Sequence, residues 1–500
     1  MLFLLLCLAA VLWYTVFRYK RKRLYELADL LPSPEGMNNL LGIMQHTFKG
    51  TDVAFHVIKE FTKFCEKSGG IIKFWGGPIF FAGVMRPNDV DFILKNFPEK
   101  ESREKLLREF TGNAGIYAPV PIWTRRRKIM VPAFSPKIIN GFLDTIVAQS
   151  ENLTERLAKD DRIGTGQFSI WPYVTGFTLS TIAETSLGVN LDIQRNPDIP
   201  FLNAINRTLF LMTKRMLTVW LWPDWLFRLT PSFREAQECK EIMNGLTNKI
   251  MQERREVLKD SKGSSNNNSI YGQGEHQVKS FLDHLIMQSK VNKMTDTEIR
   301  EEILVLLIAG TDTSAVAICN TLKLLAMYPD VQAKVYNEIM SILKDDRPLD
   351  KNSLRDLDYL QRVIKESLRL FPPVPIIGRK LDTEVKLPSG AILPEGAEVI
   401  ISIWGIHRDV NNWGSTAECF DPDRFQSKED GGRFIPFGSG PRNCIGYQYA
   451  LTGIKIALAT ILRHYRVVGK EASSPVPTMD LKFSIMLRAT DDYQISLERR

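Results

Sequence analysis

The spacing of apolar positions divides the chain into a few strand-like runs and many helix-like ones. Ile71-Ile72-Lys73-Phe74-Trp75-Gly76-Gly77-Pro78-Ile79-Phe80-Phe81 reads as two strands joined by a Gly-Gly-Pro turn. Strand-like wording recurs at Val385–Ile392 and Glu398–Ile403, enough for one small sheet. Elsewhere apolar residues return at helical spacing, as at Phe281–Ser289, Asp296–Met327 and Leu354–Leu370. The pattern predicts a mainly α fold with a small β region. Lys262–Gln277, rich in Ser, Asn and Gly, reads as a surface connection. Leu217–Leu229 concentrates Trp220, Trp222 and Trp225 with Leu226 and Phe227. Tryptophan suits a membrane interface, being apolar at one end and polar at the other, and it equally suits a core.

Length alone suggests roughly three domains. No internal repeat and no linker splits the 500 residues into independent cores, so one large domain is expected behind an N-terminal anchor. Residues 1–17 are almost wholly apolar, and Arg18, Lys20, Arg21, Lys22 and Arg23 follow them. A cleaved leader would carry its positive charge before the apolar run and small residues after it. The reversed order predicts a retained membrane anchor with the remainder in the cytosol. Residues 18–36, with Leu31-Pro32-Ser33-Pro34, read as a basic and proline-rich hinge, and residues 37–500 as the catalytic domain.

The net charge of +8 favours anionic membrane surfaces and acidic partners, and no nucleic-acid motif claims it. Cys7, Cys65, Cys239, Cys319, Cys419 and Cys444 are scattered without a CxxC pair, which excludes a disulfide framework and a zinc ribbon. Five of the six are expected to be small buried hydrophobes.

Cys444 stands apart. It lies in Phe437-Gly438-Ser439-Gly440-Pro441-Arg442-Asn443-Cys444-Ile445-Gly446. A single thiol among glycines suits an axial thiolate ligand to haem iron, and a structural cysteine in a glycine-rich turn is the plainer alternative. Glycine permits φ > 0 and close backbone approach to a flat ring. Arg442 is permanently charged and suits a propionate. This segment resembles the haem loop of the cytochromes P450 at Phe437, Gly440, Arg442, Cys444 and Gly446. The resemblance runs from the anchor to the C-terminus. The wording around Gly432–Phe437 and Pro441–Gly446 is most similar to the clan of the fatty-acid ω-hydroxylases, in its insect branch.

The resemblance implies the remaining assignments. Cys444 would ligate the iron of a non-covalently held haem b, with Phe437 and Gly438 beside it. Trp123-Thr124-Arg125-Arg126-Arg127 resembles a W-x-x-x-R motif in which Trp123 and Arg127, four apart on one helical face, bond the propionates. Arg379 is a further propionate candidate. Arg125, Arg126 and Lys128 are left as a basic landing patch for a reductase, or as a solvated face. Ile376 and Ile377 would line the substrate cavity, with Gly112–Pro121 opposite.

Ala309-Gly310-Thr311-Asp312-Thr313-Ser314 resembles the family's acid–alcohol pair. Gly310 costs helix stability by up to about 1 kcal/mol relative to alanine, so a local opening is expected. Asp312 would bring protons in and Thr313 would orient water. Ala309 stands where many relatives in the clan carry the glutamate that esterifies haem, which predicts no ester link and weakens transfer of ω-hydroxylase activity. Glu366-Ser367-Leu368-Arg369 puts two charges on one helical face. The resemblance adds Arg424 to that pair as a buried folding network. His407 is expected to be structural.

The function implied is a haem-thiolate monooxygenase acting on a lipophilic substrate such as a fatty acid, hormone or xenobiotic. Electrons would come from NADPH through a separate reductase, because the chain carries no flavin or dinucleotide fingerprint, with cytochrome b5 as a second donor. The endoplasmic reticulum membrane is the expected location. An isomerase or dehydratase of lipid peroxides and a non-enzymatic haem- or lipid-binding protein are the alternatives.

Overall fold

The computed structural model describes residues 2–38, 53–196, 200–260, 280–292, 294–344, 347–427 and 432–500. Lys262–Gln277 falls outside them. The fold is mainly helical with small sheets. Its centre is the helix Asp296–Met327, opened by a capping box in which Thr295 Oγ1 accepts from the Glu298 amide at 3.2 Å and the Glu298 carboxylate accepts from the Thr295 amide at 2.9 Å. Its Ile303–Ala309 stretch is apolar all round, as a helix set deep in the protein must be. Among the described residues it alone is long and apolar enough to cross a membrane, yet 72% of that window is buried inside the protein. Helices Trp171–Ile182, Pro231–Asp260, Asp358–Leu370 and Tyr447–His464 pack round it.

Gly310 does not open this helix, which continues through it unbroken. A Cβ at Gly310 would lie 3.0 Å from Ile182 Cδ1. The glycine therefore serves a close crossing with the Trp171–Ile182 helix, correcting the expected opening. The run expected as one helix over Leu354–Leu370 is two, Lys351–Asp356 and Asp358–Leu370, parted at Leu357 where ψ is 70°.

The main sheet follows the sequence pattern. Ile71–Gly76 pairs antiparallel with Ile79–Val84, setting Trp75 opposite Phe80. Ile79–Val84 runs parallel to Glu398–Ser402, which pairs antiparallel with Ile376–Lys380, so Arg379 faces Val399 across the ladder. Val385–Lys386 and Ile392–Leu393 form their own small hairpin instead of joining this sheet. A second hairpin, Leu481–Ser484 with Met486–Ala489, turns at Ile485 with φ of 59°.

Leu2–Lys20 is helical, and its Leu5, Leu8, Leu12 and Trp13 are exposed. Within the stretch read as a hinge, Lys22–Asp29 is a helix docked on the domain, with Leu24, Leu27 and Ala28 buried. Arg23 donates twice to Glu384, each at 2.9 Å, and Tyr25 stacks on Trp75 at 5.1 Å.

Candidate functional site

The loop before the helix Tyr447–His464 carries Cys444. Two left-handed glycines shape it, Gly438 with φ of 71° and Gly440 with φ of 70°. Gly440 is obligatory for a second reason, because a Cβ there would overlap the Leu94 carbonyl. Gly446 is not left-handed; it is the N-cap of the helix. The Cys444 amide donates to Phe437 O at 2.9 Å, closing the loop on itself.

The Cys444 side chain is exposed, whereas Cys65, Cys239 and Cys319 are buried and Cys419 is half-buried. The loop still crowds its sulfur, and this desolvation pushes the thiol pKa up. The Gly446 amide and the Arg127 charge oppose that shift. An accessible sulfur at a helix N-terminus, beside an amide donor and a guanidinium, is the setting in which a thiolate is stabilised.

Beside this loop, positive charge accumulates without enough negative charge. Arg442 donates to Pro98 O at 3.0 Å, Gly115 O at 3.3 Å and Ala118 O at 2.8 Å. Its guanidinium lies 4.2 Å from the centroid of the Trp123 ring. Arg379 is buried, donates to Gly378 O at 2.7 Å, and leaves Nε without a partner. Burial lowers the pKa of both, Arg442 to about 10, and Arg379 depresses Arg442 further. Lys100, 3.0 Å from Glu104, feels both arginines, and Arg108 adds a fourth cation. Glu99 and Glu104 are the carboxylates acting on this cluster. Guanidinium groups that carbonyls alone satisfy suit further carboxylates such as haem propionates.

Arg127 shares the Trp123 helix face, but its guanidinium donates to Asn443 O and Oδ1, both at 2.7 Å. It grips the Cys444 loop. Arg126 is buried and does not belong to a landing patch. It binds Glu302 at 2.9 Å, Glu301 at 3.1 Å and Asn113 O at 2.5 Å. Arg125 and Lys128 are exposed beside an open groove that His284 also lines.

Behind the loop, Glu366 and Arg369 form a fully buried bidentate pair at 2.7 Å and 2.7 Å. Arg369 also donates to the carbonyls of His407, Ala417 and Cys419. Arg424 completes the group at 3.7 Å from Glu366. His407, wholly buried, accepts from the Ile435 amide at 2.9 Å and lies 3.2 Å from Arg369 O through Nδ1. It joins this network to the haem-loop segment, and burial together with Arg369 holds its pKa down to about 3.

On the central helix, Thr313 Oγ1 donates to Ala309 O at 2.7 Å. Asp312 is buried and ion-paired with Arg488 of the Met486–Ala489 strand. The sequence reading missed Arg488 and Lys100, because a lone cation carries no motif and only the fold brings each to its partner. An apolar cavity of about 110 Å³ lies between the Ala54–Lys67 helix, the main sheet and the Leu481–Ala489 hairpin. Ile376, Phe61, Met216 and Phe483 line it, with Arg103 as its cation. Ile377 instead approaches Gly438. Gly112–Pro121 is not on that cavity; its Gly115 amide is held by Glu302 at 3.0 Å.

A mainly helical domain with one accessible cysteine on a glycine-shaped loop, beside an under-neutralised cation cluster, is that of a haem-thiolate protein. The family model "Cytochrome P450" matches residues 34–497, and the chain belongs to that family. It is 31% identical to "Cytochrome P450 4c3" of Drosophila melanogaster over 505 residues, covering 98% of this chain and 93% of that one. It is 33% identical to "Cytochrome P450 4c21" of Blattella germanica over 409 residues, covering 80% and 81%. It is 30% identical to the human "Cytochrome P450 4V2" over 439 residues, covering 86% and 82%. The chain is a cytochrome P450 monooxygenase whose cofactor is haem b held by a cysteine thiolate.

Proposed function

We propose that Cys444 is the thiolate ligand, and that the enzyme inserts one atom of O2 into a lipophilic substrate with NADPH electrons from a separate reductase. The thiolate-bound haem supplies oxygen activation. Trp123, Arg379 and Arg442 take the propionates, while Phe437 and Gly438 shape the loop under the ring. Arg127, which holds Asn443 and so the loop, would take a propionate with them. Asp312 and Thr313 move protons, Thr313 Oγ1 orienting water on the distal side. Ala309 leaves the haem without an ester tether. The observation that carries this reading is the pairing of an exposed Cys444 with surplus cations at its side.

Residues 1–17 anchor the chain in the endoplasmic reticulum membrane, 18–36 fix its approach, and 37–500 form the catalytic domain in the cytosol. Exposed Trp225 and Leu229 lie against the bilayer surface, with Phe227 as the core side of the same segment. Arg125 and Lys128 meet the acidic reductase, and cytochrome b5 uses the same face. The enzyme is incubated with NADPH, reductase and a panel of fatty acids and lipophilic toxicants, and products are weighed by mass spectrometry. A reductase-dependent product one oxygen heavier is expected. A rearranged product made from a lipid peroxide without NADPH would overturn the reading in favour of an isomerase.

A further inference from the structure

The apolar cavity between the Ala54–Lys67 helix, the main sheet and the Leu481–Ala489 hairpin has one charged side chain in its wall. The other polar side chains there are spent on one another or on the backbone. Thr62 Oγ1 and Ser402 Oγ lie 3.0 Å apart, Ser402 Oγ also accepts from the Gly405 amide at 3.0 Å, and Cys65 Sγ donates to Gly83 O at 3.8 Å. Arg103 differs. It is buried, yet of its guanidinium only Nε donates, to Glu101 Oε1 at 2.6 Å. Its two terminal nitrogens donate to no group among the described residues. Buried donors without an acceptor are uncommon in native proteins, and here they border a cavity.

Aromatic rings hold the guanidinium in place, with the Phe81 centroid at 4.6 Å and the Trp222 centroid at 6.0 Å. Trp222 Nε1 donates to Met216 O at 3.1 Å, and Met216 lines the same cavity. The donors are free, but the charge is already balanced. Glu101 is buried beside Arg103, and Glu104 and Glu398 add negative field around it. The nearby lysines are taken: Lys100 lies 3.0 Å from Glu104 and Lys380 4.0 Å from Glu398. A carboxylate arriving at Arg103 would meet Glu101 at close range, and two carboxylates on one cation repel. A carbonyl, ester or hydroxyl oxygen meets only the donors and brings no charge with it. Bonds from a charged donor to such an oxygen are the stronger kind.

We propose that Arg103 is the specificity-determining residue of this cavity: its terminal nitrogens take the oxygen of a neutral, otherwise apolar substrate, and Glu101 turns carboxylates away. The proposal rests on the monooxygenase reading and names its substrate class. That class is the esters, ketones and alcohols of long apolar molecules, and it leaves out free fatty acids. The oxygen-bearing end sits on Arg103, and the apolar body lies along Phe61, Ile376, Met216 and Phe483.

Binding of methyl laurate, laurate and dodecane to the haem-loaded, full-length enzyme in nanodiscs is measured by equilibrium dialysis at neutral pH, with empty nanodiscs as the blank. Methyl laurate should bind roughly tenfold more tightly than laurate, about what one hydrogen bond to a charged group supplies. Glu101→Gln keeps the shape of the side chain and removes its charge. It should raise laurate affinity roughly tenfold and leave methyl laurate where it was. Arg103→Met should weaken methyl laurate roughly tenfold and leave dodecane unchanged, a split that a merely structural role does not produce. Laurate bound as tightly as its methyl ester by the parent, or an acid-to-ester ratio unmoved by Glu101→Gln, would overturn the proposal. If Arg103→Met does not fold, Glu101→Gln still decides, because it predicts a gain. If the binding order holds while no ligand yields a reductase-dependent product one oxygen heavier, the oxygenation reading fails and the assignment of Arg103 stands.

Discussion

Replacing Arg369 with methionine removes the cation at the centre of the proximal network. Glu366, with no exposure of its own, loses two charge-assisted bonds at 2.7 Å and keeps the Asp421 amide at 2.9 Å and the more distant Arg424. Breaking one partner of a buried pair costs about 3–5 kcal/mol. The carbonyls of His407, Ala417 and Cys419 also lose a donor, which places the loss at the upper end, about 5 kcal/mol. That is comparable to the whole stability of many domains. Removing both charges in Glu366→Met/Arg369→Met leaves no stranded carboxylate and should recover most of the loss, since apolar replacement of a buried pair is often neutral. Urea unfolding in detergent, read by circular dichroism, orders the variants. A single variant within about 1 kcal/mol of the parent, or a double variant weaker than the single, would refute the reasoning.

Gly440→Ala should abolish haem incorporation, because its Cβ meets the Leu94 carbonyl; Gly438→Ala, with nothing nearer than 3.9 Å, should lose only about 1–2 kcal/mol, and haem content against thermal midpoint separates the two. His407 has a folded-state pKa near 3 against an ordinary 6.5, so the unfolded chain binds the extra proton. Its contribution to stability is full above about 6.5 and falls by about 1.4 kcal/mol per pH unit as pH drops toward 3. His407→Gln should lose that slope in urea midpoints measured across the window; an unchanged slope refutes the assignment.

Much of this was legible because it is local. The Phe437–Gly446 loop, the paired Glu366 and Arg369 and the strands around Gly76-Gly77 each declare themselves within a few residues. Trp123 lies buried on its helix with the Arg442 guanidinium over its ring, a contact that no local pattern announces. What escaped was long-range. Nothing near Arg126 in sequence announces Glu302, and nothing near Asp312 announces Arg488. The hold of Arg127 on Asn443 was not legible either, since periodicity gives a side chain's face but not its partner. Gly310 was read as a weak point from propensity, but packing against Ile182 overrides propensity.

The central claim is that Cys444, of the six cysteines, holds the haem. The reduced, carbon-monoxide-bound absorption spectrum tests it directly. The Cys444→Ser protein should lose the absorption band characteristic of thiolate ligation, while alanine at Cys65, Cys239, Cys319 or Cys419 leaves it intact. A thiolate-type band that survives in Cys444→Ser would contradict the account.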